Sequence, residues 1–386
     1  MRLLLRLESA HGCHALPRLN PDFAALRVIG WPWEGVPGDP AWREAMAAQP
    51  EARPARVVEQ HRSGYIVADG PGEGFAVESL PEWQRPSGYR KGSSSQEQRA
   101  AVGDWVLLDG KRIVALLPRR TAIKRGAAGE HYKQQVIAAN IDTVLVVSGL
   151  DGDFNPRRIE RYLLLVHGGG AQPIVVLTKA DRDDSDVQAA IDALAGIAGD
   201  VPAFAVNAKD RDSVAVLDPW LQAGMTAVLV GSSGAGKSTL TNTLLGVEKM
   251  KTADVRESDA RGRHTTTHRA LIPLPSGACL IDTPGMRELK PTGEEDLAEG
   301  GFADIEALAE QCRFRDCRHD REPGCAVRAA IEAGTLDPQR LANYFKLRDE
   351  VAGAADKLAT RLAQKAGDKV QGKALGKRLD DKHGRR

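Results

Sequence analysis

The sequence predicts a multidomain protein: a small antiparallel β-barrel, then an α/β domain with a parallel sheet, then a mainly helical domain that binds a metal. Short β-rich runs separated by Gly, Pro and Ser fill residues 56–117, strands alternate with helices from about residue 136, and cysteines cluster near residue 317. A chain of 386 residues also exceeds the size of one ordinary domain. We expect an N-terminal extension, the barrel, the α/β domain, the metal-binding domain and a basic, partly disordered tail, in that order, over residues 1–50, 51–128, 129–292, 293–350 and 351–386.

The composition indicates a globular protein without a membrane segment. Hydrophobic residues make up 42% of the chain and charged residues 27%, which is ordinary for globular proteins. No stretch approaches the ~20 consecutive apolar residues that cross a bilayer, and the first residues carry too short an apolar run for a secretory signal. The sequence therefore predicts a cytoplasmic protein without a membrane partner, and the lack of coiled-coil heptads predicts a monomer.

The C-terminal tail concentrates positive charge. Residues 351–386 carry ten Lys and Arg residues against four acidic ones, although the whole chain has a net charge of only +1. A polyanion such as RNA would attract such a tail, because binding releases counterions. A solvated tail that binds nothing has the same composition, so both interpretations stay open.

The first predicted domain consists of four β-rich runs, at residues 56–68, 74–78, 102–108 and 112–117. Their short length and turn-forming separators predict a small antiparallel barrel. Such a barrel could bind RNA through basic and aromatic side chains, for example Arg62, Tyr65 and Trp105. Each of these side chains could equally belong to the core or to an ordinary surface.

The next part of the chain has the pattern of a parallel sheet with crossover helices. Hydrophobic strands alternate with helical segments between residues 136 and 230. Asn155 followed by Pro156 predicts the start of one helix, and three glycines at 168–170 predict its end. A strand at 226–230 then leads into a glycine-rich loop and a helix.

This glycine-rich loop is a candidate phosphate site. Residues 231–238 fit the pattern GxxxxGK[ST], directly after a predicted strand and at the start of a predicted helix. Backbone N–H groups of such a loop hold phosphate oxygens, Lys237 reaches the β- and γ-phosphates and assists catalysis, and Ser238 can ligate Mg²⁺. The predicted nucleotide contacts here are Gly231, Ser232, Ser233, Gly234, Ala235, Gly236, Lys237, Ser238 and Thr239.

Two further motifs fit a P-loop nucleotide switch. Asp282 begins the sequence DTPG after a predicted strand, where a GTPase places the Asp that holds Mg²⁺ through water. Gly285 would then sense the γ-phosphate through its N–H group. The segment GRHTTT at 262–267 has no packing reason for three consecutive threonines, and we expect Thr266 to complete the coordination of Mg²⁺.

The sequence TKAD closes another predicted strand and predicts selection of guanine. The carboxylate of Asp181 can accept from guanine N1–H and the 2-amino group, a donor pair that adenine lacks. Lys179 would lie along the base and ribose. Thr178 stands where this motif usually has Asn, and its hydroxyl cannot form a two-ended amide bridge, so we expect weaker binding. The loop at 206–209 would close over the guanine.

The order of these motifs is unusual. In a Ras-like chain the phosphate loop comes first and the guanine motif last, whereas here TKAD precedes the phosphate loop by about fifty residues. Because the termini of doubly wound domains often lie close together, such a circular permutation can preserve the sheet. The switch segments would then lie next to the following domain and could move it.

The cysteine cluster predicts a metal site. Cys312, Cys317, His319 and Cys325 supply three thiolates and an imidazole within fourteen residues, a set that suits tetrahedral Zn²⁺. The spacing is not that of a common zinc finger, so buried or incidental cysteines are the alternative. His11, Cys13 and His14 form only an incomplete ligand set near the N-terminus.

Taken together, the motifs resemble the ribosome small-subunit-dependent GTPases of the RsgA or YjeQ family. The resemblance covers roughly residues 55–350, through VGDWV, NPRRIERYL, TKAD, GSSGAGKST, GRHTTTHR, DTPGMRE and the cysteine cluster. It implies an N-terminal OB-fold β-barrel, a central circularly permuted P-loop GTPase domain and a C-terminal domain with one structural Zn²⁺. It also implies that the chain hydrolyses GTP, with Mg²⁺, to GDP and phosphate in late maturation of the small ribosomal subunit, binds the rRNA of that subunit and is stimulated by it.

Hydrolysis requires a group that positions water. Ras-type enzymes use a Gln directly after DxxG, where this chain has Met286, so another residue must act. The candidate is His264 in GRHTTT, which the family resemblance also favours; the alternative is an exposed loop histidine without a catalytic role. Two rival functions remain, a nucleotide-dependent RNA-binding scaffold with negligible turnover and an ATP-dependent enzyme in which TKAD is accidental.

Overall fold

A computed structural model of the chain describes residues 21–61, 64–84, 98–126, 134–247, 269–282, 295–356 and 359–360. Its first elements are two short helices, α1 (Phe23–Val28) and α2 (Pro40–Ala47). The side chains of Asp22 and Asp39 cap them by accepting hydrogen bonds from backbone N–H groups in the first turn. Neither helix is long enough to be stable in isolation, so their order comes from packing.

That packing is aromatic. Trp31 and Trp42 are fully buried, and the Trp31 ring meets Trp105 edge-on with 4.9 Å between centroids. Trp42 lies 5.5 Å from Trp31 and 6.4 Å from Trp105. The segment from residue 21 to residue 50 therefore shares a core with the barrel that follows it.

Five strands form a barrel: β1 (Arg53–Gln60), β2 (Tyr65–Ala68), β3 (Phe75–Val77), β4 (Trp105–Asp109) and β5 (Arg112–Leu116). Their order is β1-β2-β3-β5-β4, closing back on β1. β1 pairs antiparallel with both β2 and β4, β2 pairs with β3, and β4 pairs with β5. Backbone hydrogen bonds of Glu78 with Lys111 and Ile113, both 2.9 Å, close the cycle beside a parallel bridge to Arg112. A short helix α3 (Pro81–Gln84) follows the third of these strands, and the strand pairs β1–β2, β1–β4, β2–β3 and β4–β5 are antiparallel, as the sequence predicts.

A hairpin connects the barrel to the central sheet. β6 (Ala122–Gly126) and β7 (Gln134–Ala139) pair antiparallel, and the predicted boundary at residue 128 falls between these two strands. The buried guanidinium of Arg56 donates to the carbonyl oxygens of Gly103, Ile29 and Asn140. One side chain of β1 thus joins the N-terminal segment, the barrel and the start of the central sheet.

The central sheet confirms the predicted α/β pattern. Its strands are β8 (Thr143–Gly149), β9 (Gln172–Thr178), β10 (Ala203–Ala205), β11 (Thr226–Val230), β12 (Arg269–Pro273) and β13 (Cys279–Asp282). Their order is β10-β9-β8-β11-β13-β12, with every pair parallel except β12 with β13. At the other side of β12, Glu59 and Gln60 of β1 pair antiparallel with Ala270 and Arg269, which joins the barrel to the sheet edge.

Helices cover both faces of this sheet. Along β8, Val144 and Val146 belong to one hydrophobic cluster, whereas Leu145 and Val147 belong to another, because successive side chains point to opposite faces. The first cluster contains α4 (Pro156–His167) and α5 (Val187–Ala198), and the second contains α6 (Arg211–Val214) and α7 (Lys237–Leu245). The predicted cap is confirmed, since the Asn155 side chain accepts from the N–H of Arg158 at 3.1 Å.

The C-terminal part is helical, as predicted. It comprises α8 (Ala303–Glu310), α9 (Ala326–Glu332) and a last helix α10 over residues 338–356. α10 packs against α4, where Arg340 contacts the buried carboxylate of Glu160 at 2.5 Å and Asn343 donates a hydrogen bond to the same group. No helix in the described ranges is long and apolar enough to cross a membrane.

Candidate functional site

The glycine-rich loop lies where the sequence predicts it, between β11 and the start of α7. Gly231 has φ +147°, and a Cβ there would lie 2.1 Å from the carbonyl oxygen of Val147. Gly236 has φ +87°, and a Cβ there would come within 2.9 Å of the Thr178 hydroxyl. Glycine is therefore required at both positions, by backbone conformation and by the close approach of β8 and β9.

Lys237 folds back over this loop. Its ammonium group donates to the carbonyl oxygen of Gly231 at 2.8 Å and to that of Ser232. Ser238 and Thr239 follow in the first turn of α7, whose N-terminus contributes positive potential. Ser233 and Gly234 are exposed at the tip of the loop, and Ala235 is buried beneath it. The loop thus combines backbone N–H groups, a cation and a helix N-terminus, a combination that binds phosphate.

The TKAD motif meets the phosphate loop directly. Thr178, the last residue of β9, is fully buried, and its hydroxyl donates to the carbonyl oxygen of Ala235 at 2.7 Å. This threonine hydroxyl therefore links the two motifs. Lys179 follows in the left-handed region with φ +63°, and Asp181 is exposed beyond it. The structure therefore brings two motifs that lie about fifty residues apart into one site.

The loop at 206–209 is held by hydrogen bonds to β9 and to α7. The N–H of Val206 donates to Leu177 in β9 at 2.8 Å. The Thr243 hydroxyl of α7 donates to the carbonyl oxygen of Ala208 at 2.6 Å, and the Asn207 side chain accepts from the N–H of Lys209 at 3.0 Å. The helix that begins at the phosphate loop therefore also fixes the predicted guanine loop.

Sequence reasoning missed two acidic residues of this site, Asp151 and Asp153, which follow β8. Asp151 pairs with the ammonium group of Lys179, and Asp153 accepts a hydrogen bond from the Ser232 hydroxyl. Partial burial raises the pKa of Asp151, but the hydrogen bond from Lys179 and one from the N–H of Asp153 outweigh it and lower the pKa overall. The sequence did contain an indication of their role, because both acids follow a predicted strand of the parallel sheet. Ligands bind at the carboxyl ends of the strands in such a sheet.

Asp282 ends β13, the strand beside β11. Burial raises the pKa of its carboxyl group, and Lys237 offsets part of that effect. This places a carboxylate at the same edge as the phosphate loop, as expected for a residue that holds Mg²⁺ through water. His264, Thr266 and Gly285 lie outside the described residues, so their predicted roles stay predictions.

The cysteine cluster forms a compact ligand set. The Cys312 and Cys325 sulfurs lie 3.9 Å apart, and each lies 3.5 Å from Nδ1 of His319. With Cys317, all four ligand atoms lie within 4.8 Å of one another. Tetrahedral Zn²⁺, with bonds of about 2.3 Å to sulfur and about 2.0 Å to nitrogen, separates its ligand atoms by about 3.5–3.8 Å. The four residues therefore fit zinc.

Surrounding elements fix this ligand set. Cys312 follows α8, Cys325 caps α9 by accepting from the N–H of Arg328 at 3.4 Å, and the His319 ring stacks on Phe345 of α10. The Glu322 carboxylate accepts three backbone N–H groups of the loop, from Arg318, Asp320 and Arg321. Three helices thus meet at the cluster, which suits a structural site.

Two candidate RNA contacts of the barrel belong to the core. Trp105 is fully buried under the tryptophans of the N-terminal segment, and Tyr65 is 7% exposed and packs on Trp83. Neither ring is free to stack on a base. Arg62 lies outside the described residues.

Comparisons with known proteins find a matching family and similar curated proteins. The RsgA GTPase family model matches residues 116–292. The small ribosomal subunit biogenesis GTPase RsgA of Xanthomonas axonopodis pv. citri (strain 306) is 71% identical over 361 residues, which span 93% of this chain and 96% of that protein. The protein of the same name from Xanthomonas euvesicatoria pv. vesicatoria (strain 85-10) is 70% identical over 370 residues, 95% and 99% of the two chains.

Solved structures share the fold. A crystal structure of YjeQ from Thermotoga maritima matches with a TM-score of 0.56 and 24% identity, over 78% of this chain and 99% of that one. YloQ, described as a circularly permuted GTPase, matches with a TM-score of 0.51 and 24% identity, over 79% and 96%. The permuted order of motifs predicted from the sequence is thus a property of a known fold.

Proposed function

The chain belongs to the RsgA family of GTPases, and from this membership we propose that it hydrolyses GTP to GDP and phosphate as a switch in late maturation of the small ribosomal subunit. The observation that carries the proposal is the hydrogen bond from Thr178 to Ala235, which joins the guanine motif to the phosphate loop. GTP would bridge these two motifs, with its base at Asp181 and its phosphates at residues 231–239.

The residues around the phosphates would have different roles in binding phosphate and Mg²⁺. Lys237 would leave the carbonyl oxygens on which it now rests and contact the β- and γ-phosphates. Ser238, Thr266 and Asp282 would hold Mg²⁺, which neutralises charge that develops on the phosphates during transfer. Gly285 would read the γ-phosphate through its N–H group. The described positions of Lys237, Ser238 and Asp282, at one edge of the sheet, support these roles.

Water activation is assigned to His264. Met286 stands where Ras-type enzymes have their water-positioning Gln and offers no hydrogen bond of that kind, so an imidazole in the preceding switch segment would orient the attacking water. Without the ribosomal subunit, turnover would be slow. Binding of the subunit would raise kcat by holding His264 in place.

The flanking parts would provide the contacts with rRNA. The closed barrel, whose β3 and β5 run parallel, supports the OB-fold assignment, and the four-ligand cluster supports one structural Zn²⁺ in the C-terminal domain. We assign the N-terminal extension, barrel, GTPase domain, zinc domain and tail to residues 1–50, 51–128, 129–292, 293–350 and 351–386. The protein would act as a monomer in the cytoplasm, with the basic tail attracted to rRNA.

Nucleotide specificity tests the proposed guanine site. Asp181→Asn replaces two acceptor atoms with one acceptor and one donor, so the variant should lose more than about tenfold in GTP affinity. It should gain affinity for xanthosine triphosphate, whose base has a carbonyl group in place of the 2-amino group. Binding of both nucleotides, and of ATP, is measured by displacement of a fluorescent GTP analogue. Asp183→Asn, an exposed neighbour, is the matched control and should bind GTP like the wild type. ATP binding as tight as GTP binding in the wild type would refute the assignment.

A further inference from the structure

The turn after β8 contacts both halves of the nucleotide site. We call residues 151–153 the acidic turn; it contains Asp151, Gly152 and Asp153. The carboxylate of Asp151 accepts from the N–H of Asp153 at 3.1 Å, which fixes the two acids relative to each other. Each acid then reaches a different motif, Asp151 the guanine motif and Asp153 the phosphate loop.

Asp153 contacts both the phosphate loop and helix α4. One carboxylate oxygen accepts a hydrogen bond from the hydroxyl of Ser232, the second residue of the phosphate loop. The other oxygen pairs with Arg158 of α4 at 2.5 Å, and both partners of this pair are more than half buried, with 22% and 39% of their side chains exposed. Asp153 thus attaches the entrance of the phosphate loop to a helix that packs firmly on the sheet.

Ser232, the residue that Asp153 holds, also contacts Lys237. The carbonyl oxygen of Ser232 accepts from the Lys237 ammonium group, while its hydroxyl is held by Asp153. When Lys237 moves to phosphate, Asp153 continues to hold Ser232 in place. A loop fixed in this way loses less conformational entropy when phosphate binds, which raises affinity.

We propose that Asp153 is a positioning residue of the GTP site, which holds the phosphate loop in its binding conformation through Ser232 and α4. The inference rests on the proposed function, because it assumes that the ligand of the loop is GTP. Asp153 does not contact the nucleotide, and it reaches the phosphate loop through its hydrogen bond with Ser232. Its negative charge is balanced by Arg158, so it does not repel the phosphates as an unpaired carboxylate would.

A double-mutant cycle tests this coupling. Asp153→Ala and Ser232→Ala should each weaken GTP binding about tenfold, the effect of losing one charge-assisted hydrogen bond. Because both substitutions remove the same bond, the double variant should bind no more weakly than the weaker single variant. Asp153→Asn retains an acceptor oxygen and should stay within about threefold of the wild type. In hydrolysis assays KM should rise with kcat unchanged, since the loop binds substrate and transition state alike.

The control variant is Asp192→Ala, which removes an exposed carboxylate of α5 that accepts a local hydrogen bond, from Gln188 at 2.7 Å. It should leave GTP affinity unchanged. Multiplicative effects of Asp153→Ala and Ser232→Ala would overturn the proposal, as would tighter GTP binding by both Asp153→Ala and Asp153→Asn, which would show simple charge repulsion. If Asp153→Ala fails to fold, the pair of Asp153→Asn and Ser232→Ala carries the test. A wild type that binds no GTP would refute the proposed function itself.

Discussion

At the scale of single residues, Thr178 shows how this site departs from the usual guanine motif without losing its link to the phosphate loop. The sequence predicts that a hydroxyl in place of an amide can make only one useful hydrogen bond. The structure shows where that bond goes: to the buried carbonyl oxygen of Ala235 at 2.7 Å, with a second, longer contact of 3.4 Å to Ser148. The hydroxyl therefore has a structural role that the sequence motif alone does not reveal.

Thr178→Val should weaken GTP binding about tenfold. Valine matches threonine in shape but leaves the carbonyl oxygen of Ala235 without its partner, at a cost of about 1–3 kcal/mol. Titration with a fluorescent GTP analogue measures the change. The control is Thr143→Val in β8, because Thr143 is equally buried but its hydroxyl has no hydrogen-bond partner among the described residues. Equal affinities of the wild type and Thr178→Val would contradict this role.

Glu160 is a second residue that sequence patterns do not identify. Its carboxyl group lies on α4, buried against α10, where burial raises its pKa to about 7 although Arg340 and Asn343 favour the ionised form. Asp304 raises the pKa further and Arg157 lowers it. The folded protein therefore binds this proton more tightly than the unfolded chain, where the pKa is about 4.5.

The contribution of Glu160 to stability should fall as pH rises. The folded-state pKa is raised, so the stabilisation is complete below pH 4.5 and is lost as pH rises to about 7. The unfolding free energy of the wild type minus that of Glu160→Gln should fall by up to about 3 kcal/mol across that interval, because glutamine does not titrate. Urea unfolding of both proteins at several pH values measures it. A difference independent of pH would show that Glu160 does not change its proton affinity on folding.

The motif residues were predictable because their requirements are local. Gly231, Gly236 and Lys237 belong to a pattern of fixed spacing, and the structure shows the positive φ values that this pattern implies for the two glycines. Asp153 and Glu160 were not predictable, since their partners Ser232 and Arg340 lie 79 and 180 residues away in the sequence. Only the folded chain brings these side chains together.

At the scale of elements, the N-terminal segment is the main addition to what the sequence indicates. The sequence marks residues 1–50 as an extension without an assigned role, but α1 and α2 and the tryptophans beside them pack on the barrel. The reason is aromatic: Trp31, Trp33 and Trp42 form a cluster with Trp105 of β4. Tryptophans separated by turns have no periodicity from which such a core could be predicted.

Trp42→Ala should detach this segment from the barrel. Trp42 is fully buried, and truncating such a side chain costs about 3–5 kcal/mol. Thermal unfolding followed by tryptophan fluorescence should show an earlier transition. Val36→Ala, at a side chain that is 69% exposed in the same segment, should change stability by less than about 0.5 kcal/mol. An unchanged transition in Trp42→Ala would mean that the segment adds nothing to the barrel core.

Helix α4 is the element that links the nucleotide site to the C-terminal helices. Arg158 near its start pairs with Asp153, and Glu160, two residues further on, pairs with Arg340 of α10. Arg157 donates to Gln339 at 2.5 Å, and Arg161 pairs with Glu350 at 2.7 Å. Polar contacts of α4 therefore join its N-terminal half to the nucleotide site and to α10.

At the scale of the whole molecule, the barrel and the central sheet share continuous backbone hydrogen bonding. The barrel strand β1 pairs with β12 at the edge of the central sheet, and β12 pairs with β13, which ends at Asp282. The sequence predicted the barrel and the sheet separately, because each has its own pattern of strands. Their pairing depends on residues 59 and 270, which lie too far apart in the sequence for any local pattern to indicate contact.

Loss of zinc should unfold the C-terminal part while the central sheet stays intact. α8, α9 and α10 meet at the ligand set, and binding energy of a structural metal is folding energy. Cys317→Ser should lose bound zinc, measured as metal content per chain, and become sensitive to protease after residue 295 while still binding GTP. Cys13→Ser, outside the ligand set, should keep one zinc per chain. Full zinc content in Cys317→Ser would contradict the assigned ligands.

The most direct test of the central claim is phosphate release from GTP and from ATP, each with and without purified small ribosomal subunits. A GTPase of small-subunit maturation should release phosphate from GTP but not from ATP. Release from GTP should be slow without subunits and faster with them. Release from GTP that is indifferent to subunits would keep the GTPase but remove its ribosomal partner. Equal release from ATP, or none under any condition, would contradict the account as a whole.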